Sequence, residues 1–511
     1  MANKQIHRYA DNTGGSNLRD NEARVNNSTQ TTECVLINNM EIYKGGGYSS
    51  QGGNVQVNTS VSDTSAVLGI GEFKLGTTIY CIYIKASGNA YASVAGGGPD
   101  GTAIKTGLST SAIPQFITYN AKVIVFNGVD TPWSWNGVTS SNLTGLPAAW
   151  TTTKPFAAAV FGGKRIFALA GSTIYYCALG NENDWTTAND AGSISNLFND
   201  TTLLTAISDY GTRLAIHSAK PAIYLLAGSA PADYAAAPIA SNRAATSKLG
   251  IATINDYQFF FSGDAILPVV TTELGAVKLG KDNEISSKIK PFITATDSEI
   301  PLSAVDQTKL DTPILIPHYA KNNLIGYFKT IGSTVYDTAA VFNFDRGTWV
   351  FRQASPVTAA SIVAGSVLTG TSDGKILKEF SGVSTVNGNF TKSALTCWFD
   401  WGTPMRKKRI TRFYIWFKTS TTVDVDLKVR VDYKTDIEVF RTIEQDTMSS
   451  GGSYGSASYG VDTYSSSGVY YVQFPVNADG KAFQFEFIGA TSNLDFRIIQ
   501  YAVEVEELGD Y

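Results

Sequence analysis

The chain is poor in charged side chains and in cysteine. Asp, Glu, Lys and Arg make up 16% of its 511 residues, below the quarter or so that is usual in globular proteins. A formal net charge of -4 disfavours tight wrapping of nucleic acid, which needs many basic side chains against the phosphates. The four cysteines lie far apart, with no CxxC pair and no histidine at metal-ligand spacing. We therefore expect free, mostly buried thiols and no metal or other cofactor.

Long apolar runs and histidines are also scarce. No stretch approaches the roughly 18 apolar residues of a membrane-spanning helix, so we expect no stable membrane insertion. The first twelve residues are polar and lack the apolar region of a secretory signal, which predicts synthesis in a cytosol. The histidines, His7, His217 and His318, have no Ser/Asp or Cys/Asp arrangement nearby, and nucleotide-binding and HExxH motifs are missing. We expect no enzymatic activity.

What the chain has in quantity is glycine, small polar residues and aromatics. With 47 glycines and 12% aromatic residues it favours short strands joined by tight turns, which predicts an all-β protein. Strand-and-turn windows recur at spacings mostly between about 40 and 50 residues, beginning near Ala66, Gln115, Phe156, Leu203, Gly250, Pro313 and Val357. This period is typical of β-propeller blades and predicts six or seven four-stranded blades, with a long β-sandwich or a β-solenoid as alternatives.

The chain divides into three parts. Residues 1–65 are polar and are predicted to form an extended N-terminal arm, whose apolar run 34–37 could add one strand to a larger sheet. Residues 66–385 are the predicted propeller, in which residues 278–306 form an insertion. Residues 386–511 contain longer strands with clear alternation, as in residues 423–431, and are predicted to form a β-sandwich-like domain.

Two segments of the last part are candidate contact sites. The densest basic cluster of the chain attracts phosphate or an acidic partner, and we consider it a candidate inter-subunit, partner or DNA contact; it comprises Arg406, Lys407, Lys408, Arg409 and Arg412. The alternative is an ordinary solvated edge. A low-complexity Gly/Ser/Tyr segment over residues 449–468 is a candidate flexible contact loop, with Tyr454, Tyr459 and Tyr464 as its contact residues.

Tryptophans and one turn motif raise the question of sugar binding. Trp133, Trp135 and Trp185 lie at strand ends, where packing between blades is favoured over stacking on a ligand. Residues 345–349, Asp-Arg-Gly-Thr-Trp, are similar to the Asp-box turn of sialidase propellers, with the tryptophan one residue early. No arginine cluster or Tyr/Glu pair accompanies the turn, so a glycosidase is a minor alternative.

Four phrases together resemble the tail nozzle or tail-hub proteins of short-tailed bacteriophages, the group of tail tubular protein B and the packaged-DNA stabilisation proteins. They are Gly-Gly-x-Asn-Leu-Arg-Asp at 14–20, the strand 123–128 leading into Asp-Thr-Pro-Trp at 130–133, Gly-Asn-Glu-Asn-Asp-Trp at 180–185, and Trp-x-Asp-x-Gly-x-Pro at 398–404 before the basic run. Their order along nearly the whole chain carries the resemblance.

The resemblance implies a structural virion protein. In that family, rings of typically six copies lie beneath the portal and adaptor, and genomic DNA is retained and then ejected through the channel. This chain would then be assembled in the host cytoplasm into the virion tail as a homo-oligomeric ring. It would contact portal-adaptor proteins and tail fibres or spikes, with double-stranded DNA passing transiently. The alternative is a glycan- or receptor-binding propeller, such as a lectin-like tip.

Overall fold

The computed structural model describes most of the chain, and the statements below concern that part. It covers residues 4–9, 14–19, 33–42, 47–95, 97–98, 100–162, 164–195, 202–240, 242–269, 284–297, 300–353, 356–382, 385–386, 391–419, 425–443, 469–489 and 496–508. Within these ranges the protein is almost entirely β-strand, with the single α-helix α1 at Lys290–Thr294. None of the described helices is long and apolar enough to cross a membrane.

The strands of the N-terminal segment are short. They are β1 Lys4–Tyr9, β2 Gly15–Ser16, β3 Glu33–Asn38, β4 Met40–Ile42, β5 Tyr48–Ser50 and β6 Asn54–Gln56.

Twenty-five strands follow in the middle of the chain. They are β7 Val67–Leu75, β8 Thr78–Lys85, β9 Ala90–Val94, β10 Gln115–Tyr119, β11 Lys122–Phe126, β12 Trp133–Trp135, β13 Ser140–Asn142, β14 Ala157–Phe161, β15 Arg165–Ala170, β16 Thr173–Tyr176, β17 Gly192–Ile194, β18 Leu204–Tyr210, β19 Arg213–Ser218, β20 Ala222–Ala227, β21 Ala235–Ala240, β22 Ile251–Ile254, β23 Tyr257–Phe261, β24 Ile266–Pro268, β25 Ile314–His318, β26 Asn323–Phe328, β27 Thr338–Asn343, β28 Thr348–Arg352, β29 Ala359–Val363, β30 Ser366–Gly370 and β31 Ile376–Glu379.

The C-terminal strands are longer. They are β32 Lys392–Thr396, β33 Lys408–Thr419, β34 Val425–Val431, β35 Ile437–Ile443, β36 Val469–Gly480, β37 Phe483–Gly489 and β38 Phe496–Glu507.

The middle strands form small antiparallel meanders, each pairing strands in chain order. The meanders are β7–β9, β10–β13, β14–β17, β18–β21, β22–β24, β25–β28 and β29–β31. The first strand of one meander packs against the first strand of the next in most cases, and β29 of the last meander packs against β7 of the first. Because one meander cannot cover both of its faces, such stacking buries a continuous core. The predicted all-β, propeller-like architecture is confirmed.

Two of these sheets differ from the predicted four-stranded unit. In the described residues β7–β9 and β22–β24 have three strands each. The expected fourth strand of the first unit, near residues 102–105, makes only an isolated bridge between Ala90 and Lys105.

The described part of the N-terminal segment is built into both modules, which corrects the predicted extended arm. Strand β6 pairs with β31 as the fourth strand of the last meander, and β1 pairs with β38 near the C-terminus. Strand β3 pairs with β32 and, through one parallel register position, with β28. The run 34–37 is buried in β3, as its apolar composition favours. Strands that pair with partners hundreds of residues away leave no local pattern in a polar sequence.

The C-terminal module is a sandwich of two sheets. One has the order β36-β33-β38-β5-β4, and the other runs β3-β32-β37-β34-β35 as a continuation of β25–β28. Their inner faces meet in one core, in which the rings of Phe413 and Phe485 are 5.3 Å apart. The alternating pattern of β34, buried at every second residue, is what a sheet with one dry face requires. The shared sheet joins the sandwich directly to the propeller-like module.

Two buried ion pairs lie beside the segment that follows β5. Arg352 on β28 donates to Glu379 on β31 at 2.6 Å and also to the carbonyl of Gly53 at 2.9 Å. Lys85 at the end of β8 pairs with Asp100 at 2.6 Å, and both side chains are fully buried. These contacts hold the segment that follows β5 against the first and last meanders.

The described part of the predicted insertion is packed. Ile289, Phe292 and Ile293, in and just before α1, are buried in a core cluster with Phe328 and Phe351 of the sixth meander. Ile289, Phe292 and Ile293 therefore belong to the core, so this part of the predicted insertion at residues 278–306 does not project freely from the module.

Candidate partner-binding surface and central axis

The basic cluster lies where the chain turns into β33. Backbone hydrogen bonds from Thr403 to the carbonyl of Asp400 and from Arg406 to the carbonyl of Thr403 shape the turn before the strand. The turn places the cluster beside the last residues of β38 and of β36, because β33 pairs with both strands. The sequence prediction of an ordered edge agrees with this position.

Lys408 does not belong to the accessible cluster. Its side chain is 1% exposed, and its ammonium donates to the carbonyls of Thr403, Arg406 and Lys481 at 2.6, 2.9 and 3.1 Å. Burial lowers the pKa of Lys408 from its usual value. The ammonium is used inside the chain to hold the turn, so Lys408 is excluded as a partner or DNA contact.

Three of the four exposed members are paired with neighbouring carboxylates. Arg409 holds Asp479 through two hydrogen bonds of 2.6 and 2.9 Å, and Lys407 lies 3.8 Å from the same carboxylate. Arg406 donates to Glu507 at 2.9 Å. Hydrogen bonding from Arg409 holds the pKa of Asp479 below its usual value. Charge-neutralised arginines of this kind offer weak, salt-sensitive attraction to phosphate.

Arg412 lies further along β33 on the outward face of the first sandwich sheet, next to an aromatic strip. The strip comprises Tyr414, Trp416 and Tyr471, with ring centroids 6.3 Å apart for Tyr414 and Tyr471 and 4.9 Å for Trp416 and Tyr471. Tyr471 is 38% exposed. Sequence analysis missed this strip, although the alternation within residues 412–418 could have revealed it, because every second residue of a strand shares a face.

One side of the sandwich ends in two strands that lack a second neighbour among the described residues. Strand β35 pairs with β34 alone, and β36 pairs with β33 alone. Strand β35 exposes Ile437 and Phe440, each more than 40% accessible. An edge with exposed apolar side chains is a template for pairing with another chain.

The Gly/Ser/Tyr segment connects these two strands in sequence, since β35 ends at Ile443 and β36 begins at Val469. Tyr454, Tyr459 and Tyr464 lie outside the described residues, so their proposed contact role stays a prediction.

The tryptophans of the propeller-like module are buried. Trp133 and Trp135 pack with Phe73 and Ile82 of the preceding sheet, and Trp185 packs in a cluster with residues of the second and third sheets. Trp349 of the Asp-box-like turn is 1% exposed and donates its indole N–H to the carbonyl of Ile285 at 2.8 Å. These indoles join sheets together and are not accessible for stacking on a sugar.

Cysteines and histidines form no reactive arrangement in the described part of the chain. All four cysteines are buried thiols outside any disulfide bond, and burial raises the pKa of Cys34 and of Cys81 to about 12. Burial lowers the pKa of His217 to about 3 and that of His318 to about 4. The described residues contain no group of three or more His, Cys, Asp or Glu side chains that could hold a metal ion.

The axis around which the meanders are arranged is crossed by one side chain. Lys248, just before β22, donates from its ammonium to the carbonyl of Ile113 at 2.6 Å and to that of Phe156 at 2.9 Å. These carbonyls precede the first strands of the second and third meanders. Cavities of about 470 and about 390 Å³ share Lys248 and Gln115 in their walls.

Comparison with known proteins assigns no family. No protein-family model and no curated protein matches the chain. Among solved structures, similar ones include a computationally designed protein, Ika8, with 14% identity over 64% of this chain and 99% of that one, at a TM-score of 0.36. Another is BBS1N in complex with ARL6DN, with 11% identity over 65% of this chain and 96% of that one, at a TM-score of 0.41. Likenesses this distant carry no functional argument.

Proposed function

We propose that this chain is a structural subunit of the tail nozzle or hub of a short-tailed bacteriophage. Several copies, six by the family resemblance, form a ring that retains the genome and later lets it leave. The ring offers attachment surfaces to adaptor proteins and to tail fibres or spikes. The observation that carries the proposal is that a propeller-like body and a sandwich are joined through β28 and β3 into one β-structured unit. In the described residues, the sandwich also has two edge strands, β35 and β36, that lack a second neighbour.

We infer that the seven meanders are the blades of one closed propeller. The contact of β29 with β7 and the addition of β6 to the last sheet support this count. A strand from the beginning of the chain added to the last blade ties the two ends of the ring together, so that neither can fray independently.

By the family resemblance, DNA would pass through the channel that the ring of copies encloses, whereas Lys248 and the two cavities beside it lie inside one subunit. A conduit should hold DNA weakly, since each unneutralised basic side chain adds phosphate affinity. The net charge of -4 and the pairing of Arg406 and Arg409 with carboxylates support such a surface.

A glycan-binding propeller is the less supported alternative. Sugar recognition would use exposed aromatic faces at equivalent positions of successive blades, whereas Trp133, Trp185 and Trp349 are buried between sheets.

The experiment that tests the proposal combines mass measurement with electron microscopy. The purified chain is followed by native mass spectrometry over a range of concentrations, and purified phage particles encoding it are analysed for composition and imaged. We expect closed rings of about six copies, either for the purified chain or at the tail of the particle. A chain that stays monomeric at every concentration and is missing from the particles would rule the proposal out.

A further inference from the structure

Lys248 has an unusual environment for a lysine. It lies on the propeller axis, and two of its three ammonium N–H groups are used by the carbonyls of Ile113 and Phe156. One N–H group therefore remains for another acceptor. Burial lowers the pKa of Lys248 to about 8.

No carboxylate of the described residues forms an ion pair with Lys248. The titratable groups that share the larger cavity with it have other partners: Glu72 accepts from the backbone N–H of Ala364, and the hydroxyls of Tyr319 and Tyr336 donate to backbone carbonyls. Asp209 lines the smaller cavity, and burial raises its pKa. Lys248 is partly exposed and partly desolvated, and desolvation of a charge is costly without a counter-charge, so a partner of opposite charge would stabilise its ammonium. An anion bound from solution would supply the counter-charge that the described side chains do not provide.

The walls of the larger cavity are mostly apolar. They include Leu68, Ile70, Phe116, Leu249, Ile314 and Ile316. The volume of about 470 Å³ is within the range of small-molecule sites. Apolar side chains beside an ammonium group that has an N–H to spare fit a ligand with one negatively charged end and an apolar remainder.

We propose that this cavity binds a small organic carboxylate with a short aliphatic chain. The carboxylate accepts the remaining N–H of Lys248, and the chain lies against the apolar wall formed by β7, β10 and β25. This site is separate from the proposed role in a phage tail and does not depend on it.

The test is calorimetric titration of the full chain with acetate, hexanoate and octanoate. Affinity should rise by about three- to fourfold for each added methylene until the cavity is filled. Binding near pH 8 should take up protons, because the bound carboxylate favours the charged form of Lys248. Comparison of two buffers with different ionisation enthalpies measures this uptake.

Two variants locate the site. Lys248→Met should weaken octanoate binding by about tenfold or more, since a charge-assisted hydrogen bond is lost. Leu68→Trp should block the cavity and abolish binding while leaving Lys248 in place, which keeps the test decisive if Lys248→Met does not fold. Lys4→Met is the matched control, because Lys4 is an exposed lysine that pairs with Glu504 on β38, outside the propeller-like module. It should bind as the wild type does.

The proposal is overturned if octanoate does not bind at millimolar concentration, if Leu68→Trp binds it as tightly as the wild type, or if acetate and octanoate bind equally. Octanoate binding that Lys248→Met leaves unchanged would also overturn it, because the ammonium of Lys248 would then not be the partner. Ring assembly is measured in a separate experiment, so the result for carboxylate binding does not depend on the result for the proposed tail function.

Discussion

The ammonium of Lys85 lies 2.6 Å from the carboxylate of Asp100, and neither side chain is exposed. The hydroxyl of Tyr83 donates to the same carboxylate at 2.8 Å, and Asn58 links the site to the last meander by donating to the carbonyl of Gly374 at 3.1 Å. The pair thus lies where the first and last sheets of the propeller-like module meet.

Removing one partner of this pair should be far more damaging than removing both. Lys85→Met should lower the free energy of unfolding by about 3–5 kcal/mol, because it leaves a buried carboxylate without its counter-charge. Lys85→Met combined with Asp100→Leu should lose less. Denaturant unfolding measures both. Lys4→Met, which breaks the surface pair with Glu504, is the control and should cost at most about 1 kcal/mol. A smaller loss for Lys85→Met than for the double variant would contradict the argument.

The adjacent lysines 407 and 408 should respond differently to the same substitution. Lys408→Met leaves three buried carbonyls without their donor and should cost at least about 2 kcal/mol. Lys407→Met removes an exposed ammonium and should change stability by no more than about 0.5 kcal/mol. Thermal unfolding of the two variants side by side checks this. Equal effects would mean that the turn before β33 does not depend on the buried ammonium.

Glycines with the same backbone conformation should differ in their tolerance of alanine. Gly145 and Gly162 both have positive φ, at 58° and 56°. A Cβ at Gly145 would meet the backbone carbonyl oxygen of Asn183, whereas one at Gly162 would meet nothing within 4 Å. Gly162→Ala should cost about 1–2 kcal/mol from backbone strain alone. Gly145→Ala should cost about 1–3 kcal/mol more from the steric clash, as measured by the midpoint of chemical unfolding.

Acid should destabilise the fold through His217. This side chain is fully buried and accepts a hydrogen bond from the backbone N–H of Ala245 at 2.9 Å. Burial lowers its pKa from the usual 6.5 to about 3, so between these values the unfolded chain binds a proton that the folded chain does not. Stability is therefore fully present above pH 6.5 and falls as the pH drops toward 3.

His217→Gln keeps an acceptor but cannot titrate. Between pH 6 and 4, the free energy of unfolding of the wild type should fall by up to about 1.4 kcal/mol per pH unit more than that of this variant. Urea unfolding at several pH values measures the difference. Parallel curves for the two proteins would show that His217 does not contribute to the acid sensitivity.

The unpaired edge of β35 should matter for association and not for folding. Replacing Ile437 and Phe440 by lysine places two charges on the edge strand, which opposes pairing with another chain. We expect native mass spectrometry to show fewer rings and fewer larger assemblies of this variant than of the wild type. Its unfolding midpoint should be unchanged. Val138→Lys, at a still more exposed apolar position on the turn between β12 and β13, is the control and should assemble normally. Normal assembly of the edge variant would exclude β35 from the contact.

Sequence reasoning recovered the features that repeat or alternate locally. The spacing of windows from Ala66 to Val357 predicted a propeller-like body, and the alternation in residues 423–431 predicted a sandwich sheet. Both signals arise from the pleat of a strand, in which every second side chain faces the same way, and from meanders that must stack to cover both faces. The ordered position of the basic cluster was likewise predictable, because it precedes a strongly apolar strand.

Only the tertiary structure decided which distant segments meet. It paired Lys4–Tyr9 with the end of the chain, added Asn54–Gln56 to the last meander and placed Lys248 across the axis. It also separated Lys408, buried among three carbonyls, from its exposed neighbour Lys407. A short polar strand has the same sequence pattern as a loop, and two adjacent lysines cannot be distinguished by sequence. Which side chain is desolvated, and which donor has an acceptor, depends on the chain segments that pack around it.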